Sequence, residues 1–445
     1  MNPLDTASDD TVDDTVDDTT RRSILGVTAT LGTMAIAGCS GDDNGGGSTP
    51  TDTPMDTPQD TPTPTDEPTE TPTEEPMPAA DVPVLNYALT LEHLENVFYR
   101  EGLAEFSDDE LMQADVLSKF GEQVRMEVPG YLETVGAHEA AHVSAITDTI
   151  ETLHGTPVGE GEYDFGYETP SEFLQVAMAL ENTGVAAYAG AAPKVVNNDV
   201  LAAAAGIHSV EARHAGFLNM VNGKLPFPKA VDEAKSVDEV LEIAGQFVTS
   251  EVDPSVYETG DDRPTHDRKA ENDTSDVDVL NYALTLEHLE NAFYRDGLEQ
   301  YSEEQIRNAD GLSEFGDHVR MNVYGHLEEV GAHEAAHVSA LTDTVEKLGG
   351  DPVQEAEYDF GYSNPSEFLG VAKALENTGV AAYKGAAPTV SNDAVFDAAI
   401  GIHSVEARHA AFLNELNLTS PFPKAVDEPK TMAVVTEIAG QFIQS

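Results

Sequence analysis

GAHEAAHVSA, residues 136–145, is repeated letter for letter as residues 331–340. Within this stretch Glu139 and His142 are three residues apart, a spacing that places two side chains on one face of an α-helix. A second Glu-x-x-His pair, Glu211 and His214, lies in HSVEARHA, which also recurs unchanged. Carboxylate and imidazole are ligands that divalent iron and manganese accept. The two pairs therefore predict a metal site between helices.

Two lone carboxylates complete the set. Glu92 and Glu181 both follow a leucine, and both precede a tyrosine by seven residues. Four Glu and two His on four helices are enough to hold two metal ions. Each of the six residues has an identical counterpart 195 positions later in the chain, for example Glu287 for Glu92. The predicted ligands are Glu92, Glu139, His142, Glu181, Glu211 and His214 in the first repeat and Glu287, Glu334, His337, Glu376, Glu406 and His409 in the second.

The segments around these residues have helical periodicity. Leu85, Leu89 and Glu92 share one stripe, and Val135, Glu139 and Ile146 share another, so the proposed ligands lie within apolar faces. No segment has the alternating pattern of a strand. The sequence therefore predicts an all-α protein with two tandem four-helix bundles, each followed by a short amphipathic helix, the first near 237–247.

Burial of the four carboxylates favours bound metal ions over a polar core without ions. Four carboxylates inside one bundle repel each other and lose their hydration, so some would have to remain protonated. Two divalent cations cancel the four negative charges. The sequence therefore predicts two divalent metal ions per domain and does not distinguish iron from manganese.

Several neighbours of the ligands are further candidates. Glu95 and its copy Glu290 lie on nearly the same face as Glu92 and Glu287, and either member of each pair could bind metal while the other supports it by hydrogen bonding. The match between the Glu92 and Glu181 segments favours Glu92. The other candidates to hydrogen-bond the ligands are Tyr99, Tyr188, Tyr294, Tyr383, His138 and His208.

His138-Glu139-x-x-His142 also matches the zinc-peptidase signature, in which both histidines bind metal and the Glu is the base. The equivalent position before Glu211 is Val210, and a peptidase would leave Glu181 and His214 unexplained. This interpretation remains a minor alternative.

Composition limits the partners. The 445 residues contain 22 Lys plus Arg against 82 Asp plus Glu, for a formal net charge of -60 at pH 7. Nucleic acid is therefore excluded as an expected partner. Concentrated salt would screen such self-repulsion, so the acidity is typical of halophilic adaptation. One cysteine excludes an internal disulfide.

The first 39 residues are typical of an export signal. Arg21 and Arg22 form a twin-arginine pair, a short apolar run from Ile24 to Ala37 follows, and Cys39 is placed as a lipid acceptor. The sequence predicts an exported protein anchored by lipid on the outer face of the cell membrane. Predicted domains are the signal at 1–39, a disordered Thr/Pro/Asp-rich linker at 40–80, a first bundle at 81–250, a second linker at 251–275 and a second bundle at 276–445.

Taken together, the segments around Glu92, Glu139, Glu181 and Glu211 resemble the ferritin-like superfamily, in its exported stress- and desiccation-related branch, as a tandem form of haloarchaeal type. The resemblance implies di-iron or di-manganese centres, with iron favoured, and does not settle the activity. The leading hypothesis is redox chemistry at these centres with peroxide, other small oxidants or Fe(II). A non-catalytic envelope stress protein is the alternative. No catalytic residue beyond the metal ligands is identified, and an intramolecular pseudo-dimer of the repeats is left open.

Overall fold

The computed structural model describes residues 80–250 and 275–444. The predicted signal with Arg21, Arg22 and Cys39 lies outside the described residues, as do nearly all of the two predicted linkers.

Each repeat contains four long helices and two short ones, and the described residues form no strand. In the first repeat the helices are α1 (Val82–Glu105), α2 (Asp108–Met112), α3 (Glu122–Thr152), α4 (Pro170–Ala191), α5 (Asn198–Val221) and α6 (Val237–Ala244). In the second they are α7 (Asp276–Gln300), α8 (Glu303–Arg307), α9 (Asp317–Lys347), α10 (Pro365–Ala386), α11 (Asp393–Leu416) and α12 (Met432–Gly440). The all-α prediction, including the extra helix after each bundle, is confirmed.

Local sequence accounts for the helix ends. Thr169 caps α4 by accepting a hydrogen bond from the Glu172 amide, and Pro170 occupies the first helical position, where its missing N–H is not needed. Asn197 caps α5 in the same way. Gly223, with a φ of +67°, follows the end of that helix, because a left-handed residue there is least strained as glycine.

The four long helices of a repeat surround one core. In the first repeat α1 packs on α3, and α4 packs on α5. Phe98 of α1 and Phe173 of α4 are fully buried, and their rings stack with centroids 4.7 Å apart. Gly102 lies against the Phe173 ring, which leaves no space for a side chain there.

Gly102→Ala is expected to destabilise the protein by about 1–3 kcal/mol, as overpacked cores do. A Cβ at this position would lie 2.1 Å from Phe173 Cε2, and the stacked ring cannot move aside. Gly130→Ala is the matched control, since a Cβ there would have no atom of residues 80–250 or 275–444 within 4 Å beyond its own helix turn. That change should stabilise the helix by about 0.5–1 kcal/mol. Denaturant midpoints would test both, and equal effects would contradict the packing argument.

The two repeats pack against each other along α5 and α11. Small residues line this contact, among them Ala212, Ala215, Ala407 and Ala410, so the two helices approach closely. None of the helices in the described ranges has both the length and the apolar character needed to span a lipid bilayer.

Candidate metal centre

The structure brings the six predicted ligands of each repeat together. In the first repeat, one group of side chains consists of Glu92, Glu139, His142 and Glu211, and another of Glu139, Glu181, Glu211 and His214. Within each group the ligand atoms lie within 4.8 Å of one another, and all six side chains have no exposed surface. Glu139 and Glu211 belong to both groups, so the six residues form one centre with room for two ions.

The orientation of His142 shows that this centre suits cations. Its Nε2 lies 2.6 Å from the carbonyl oxygen of Ala425, which can only accept, so Nε2 carries the hydrogen. Its Nδ1 lies 3.1 Å from oxygens of Glu92 and Glu211 and 3.2 Å from Glu139. In a neutral imidazole with this tautomer, Nδ1 has only a lone pair. A lone pair facing three carboxylates is favourable only with positive charge between them.

His214 is oriented in a similar way. Its Nδ1 lies 3.1 Å from Glu139 and 3.2 Å from Glu181, while its Nε2 lies 3.1 Å from Nδ1 of His138. His138 is thus a neighbour of a ligand, as predicted, and lies outside both ligand groups. In a zinc peptidase it would itself bind metal, and the structure does not place it there.

Of the four carboxylates in the first centre, that of Glu211 receives the fewest hydrogen bonds from the described residues. Among the described residues no group donates to its Oε2, and its Oε1 has only a contact of 3.1 Å with Nδ1 of His142, which also faces Glu92 and Glu139. Burial raises the pKa of Glu211 well above its usual range, and the nearby charges of Glu139 and Glu181 raise it further. A buried, unpaired carboxylate is costly, and a bound cation removes that cost.

The pKa shifts of the other groups in the centre have the same cause. Burial raises the pKa of Glu92 to about 7, although His142 opposes the shift. Burial alone would lower the pKa of His142, yet Glu92 and Glu139 hold it well above its usual value. Burial also raises the pKa of Glu139, but the charge and hydrogen bond of His142 outweigh this and lower it. Without metal, protons supply the positive charge that the centre needs.

The predicted tyrosines contact the ligands. The Tyr99 hydroxyl donates to Glu181, and the Tyr188 hydroxyl donates to Glu92. Both hydrogen bonds join α1 to α4. They therefore fix the two lone carboxylates, which have no Glu-x-x-His partner on their own helix.

Glu95 lies beside the centre and outside both ligand groups, whereas Glu92 lies in one of them. A Cβ on Gly184 would lie 3.1 Å from Glu95 Oε1 and 3.2 Å from Glu211 Oε2, so the glycine leaves space for both carboxyls. Burial and the charges of Glu211 and Glu181 raise the pKa of Glu95 well above its usual range.

His208 does not neighbour the centre, contrary to its prediction. It is buried at the contact between the repeats, where its ring centroid lies 5.8 Å from that of His403. The helical stripe could not distinguish these positions, because α5 is buried both by its own bundle and by the other repeat.

The second repeat reproduces the first. Its two groups are Glu287, Glu334, His337 and Glu406, and Glu334, Glu376, Glu406 and His409. Tyr294 donates to Glu376 and Tyr383 to Glu287, while Glu290 takes the place of Glu95, with its pKa raised by burial and by Glu406.

Residues that were not predicted from the sequence reach each centre from the opposite repeat. They lie in two segments, which we call strap 1 (226–235) and strap 2 (421–430). The straps share the run PFPKAVDE, at 226–233 and 421–428. This identity, outside any helix that carries ligands, was the available signal.

The family described as the ferritin-like domain matches the chain twice, at residues 80–224 and 275–418. These ranges contain all twelve predicted ligands and neither strap. A search of curated proteins gave no match.

Proposed function

Because this chain belongs to the ferritin-like domain family through both of its repeats, we propose that each bundle holds two divalent metal ions, iron or manganese, and uses them in redox chemistry with peroxide or Fe(II). The main support for this proposal is the orientation of the His142 ring: its Nδ1 faces three carboxylates while its Nε2 donates to a carbonyl.

The residues for each ion follow from the two groups. Glu92 and His142 would hold one ion, Glu181 and His214 the other, and Glu139 and Glu211 would serve both. When bound, such metals supply redox change and Lewis acidity toward a small oxygen-containing molecule. The side chains exclude water, and Tyr99 and Tyr188 hold the lone carboxylates in place. Glu95 remains as a nearby carboxyl that can hold a proton.

A small apolar pocket supports a small reactant. Val84, Ala88, Ile146 and Tyr188 are among its lining residues. The hydroxyl of Tyr188 also donates to Glu92, so the side chain of Tyr188 lines the pocket and contacts a predicted ligand as well. An apolar pocket of this kind suits a small uncharged oxidant better than a peptide.

Metal analysis and turnover together test the proposal. Protein purified without tags or chelators should contain about two iron or manganese ions per repeat and should consume peroxide or oxidise Fe(II). Stoichiometric metal without turnover would support the non-catalytic stress protein instead. Protein that binds neither metal would refute the proposal.

Tyr99→Phe is expected to weaken metal binding in the first repeat by about 10–100-fold, the usual effect of losing a ligand's hydrogen-bond partner. Tyr87→Phe is the matched control, because Tyr87 is on the same helix and buried, and its hydroxyl has no hydrogen-bond partner among the described residues. Titration with Mn²⁺ would measure both variants. Equal affinities for the two would show that the Tyr99 hydroxyl does not support the centre.

The proposed location rests on sequence alone. The twin-arginine pair Arg21 and Arg22, followed by an apolar run and Cys39, supports export and a lipid anchor on the outer face of the membrane. Cys39→Ser should release the protein from the membrane fraction into the medium. Replacing both arginines by lysine should retain it inside the cell. Unchanged fractionation of both variants would refute the anchor and the export route.

A further inference from the structure

We propose that each repeat completes the metal centre of the other, with strap 1 positioning ligands of the second repeat and strap 2 positioning ligands of the first. This inference rests on the proposed function, namely that the clusters bind metal. It makes the paired repeats a single functional unit, in which neither centre is complete without the opposite strap.

The first observation is a crossed pair of hydrogen bonds. Nε2 of His337 lies 2.6 Å from the carbonyl oxygen of Ala230 in strap 1, and Nε2 of His142 lies 2.6 Å from that of Ala425 in strap 2. A hydrogen bond on one ring nitrogen decides that the other carries the lone pair for metal. The ligand nitrogen of each repeat is thus selected by the backbone of the other.

The second observation is aromatic packing on the other histidine ligand. Phe227 of strap 1 packs edge-on against His409, with ring centroids 4.9 Å apart. Phe422 of strap 2 packs against His214 at 5.0 Å. Both phenylalanines are fully buried. Each strap therefore contacts both histidine ligands of the opposite centre, one by hydrogen bond and one by ring packing.

Ion pairs hold the straps in place. Arg408, adjacent to His409, donates from Nε to Asp232 of strap 1 at 2.7 Å. Arg213, adjacent to His214, donates in the same way to Asp427 of strap 2, also at 2.7 Å. All four residues lie within the contact between repeats, with both arginine side chains 2% exposed.

The backbone of strap 1 also packs closely against the opposite repeat. The Asp232 amide donates to the carbonyl of Gly401 at 3.1 Å, and a Cβ on Gly401 would lie 2.7 Å from the Asp232 carbonyl oxygen. Strap 1 then returns to its own repeat, where the Lys235 amide donates to Ala186. The crossing is therefore confined to the part of the strap that touches the opposite ligands.

Single-centre proteins allow the crossing to be tested in the full chain. Glu139→Ala removes a ligand common to both groups of the first centre, so this background reports on the second, and Glu334→Ala does the reverse. Phe227→Ala should weaken Co²⁺ binding by about 10–100-fold and shift the Co²⁺ absorption bands in the Glu139→Ala background. It should leave both unchanged in the Glu334→Ala background. Phe422→Ala should give the opposite pattern.

An effect of Phe227→Ala on the centre of its own repeat, or an equal effect on both, would overturn the inference. If Phe227→Ala fails to fold, Asp232→Asn provides the same crossed test, since it removes the ion pair with Arg408 and opens no cavity. Failure of the unmodified chain to bind Co²⁺ would refute the proposed function itself. Binding of Co²⁺ by both single-centre proteins without a crossed effect would refute this inference alone.

Discussion

Chelated protein is expected to lose several kcal/mol of its free energy of unfolding between pH 6.5 and pH 9, whereas metal-loaded protein keeps it. Burial lowers the pKa of His214, but Glu181 and Glu139 outweigh burial and raise it to about 9. The stabilisation from a raised pKa is fully present below the unfolded value and is lost as the pH rises through the folded one. A shift from about 6.5 to about 9 corresponds to about 3 kcal/mol for each such imidazole.

The other groups of the centre act in the same direction. Glu92, with a pKa of about 7, and Glu211, with a pKa well above its usual range, both lose stabilising protons as the pH rises. His138 and His208 have pKa values lowered by burial to about 3 and about 4. Their opposing contributions develop below pH 6.5, outside the stated window. Bound metal replaces the protons, so metal affinity should rise with pH.

Denaturant midpoints with and without chelator, measured at pH 6.5 and pH 9 and constant high salt, would check this expectation. The contribution of the remaining charges is the same in both preparations and cancels in the comparison. Parallel pH profiles would contradict a centre in which protons and metal ions compete for the same side chains.

Glu139→Ala is expected to halve the metal content, from about four ions per chain to about two. Glu139 belongs to both ligand groups of the first repeat and to neither group of the second. Removing it also takes away the carboxylate shared by His142 and His214, so affinity should fall by more than the roughly 100-fold seen when only a supporting residue is lost.

Elemental analysis after dialysis would measure the remaining ions. Glu133→Ala is the matched control, because Glu133 lies on the same helix and is exposed; this variant should retain all the metal. Loss of metal from both repeats would show that a ligand of one centre supports the other. Full retention would show that Glu139 is not a ligand.

Much of the fold could be predicted from local pattern. Apolar positions at helical spacing predicted four long helices per repeat, and in the structure Thr169 and Asn197 cap the starts of α4 and α5. The short helix α2 was missed, since five residues cannot display a periodicity. His208 was misplaced because a buried face does not reveal which neighbour buries it.

The identity of the twelve candidate ligands follows from the chain alone, because residues three apart on a helix share a face and a carboxylate in an apolar stripe must find positive charge. Which nitrogen of His142 faces the carboxylates could not be foreseen. That depends on the carbonyl of Ala425, 283 residues away, and no helical periodicity encodes a contact of such range. Packing of the repeats along α5 and α11 brings His142 and Ala425 together. The same packing places each strap against the metal centre of the opposite repeat.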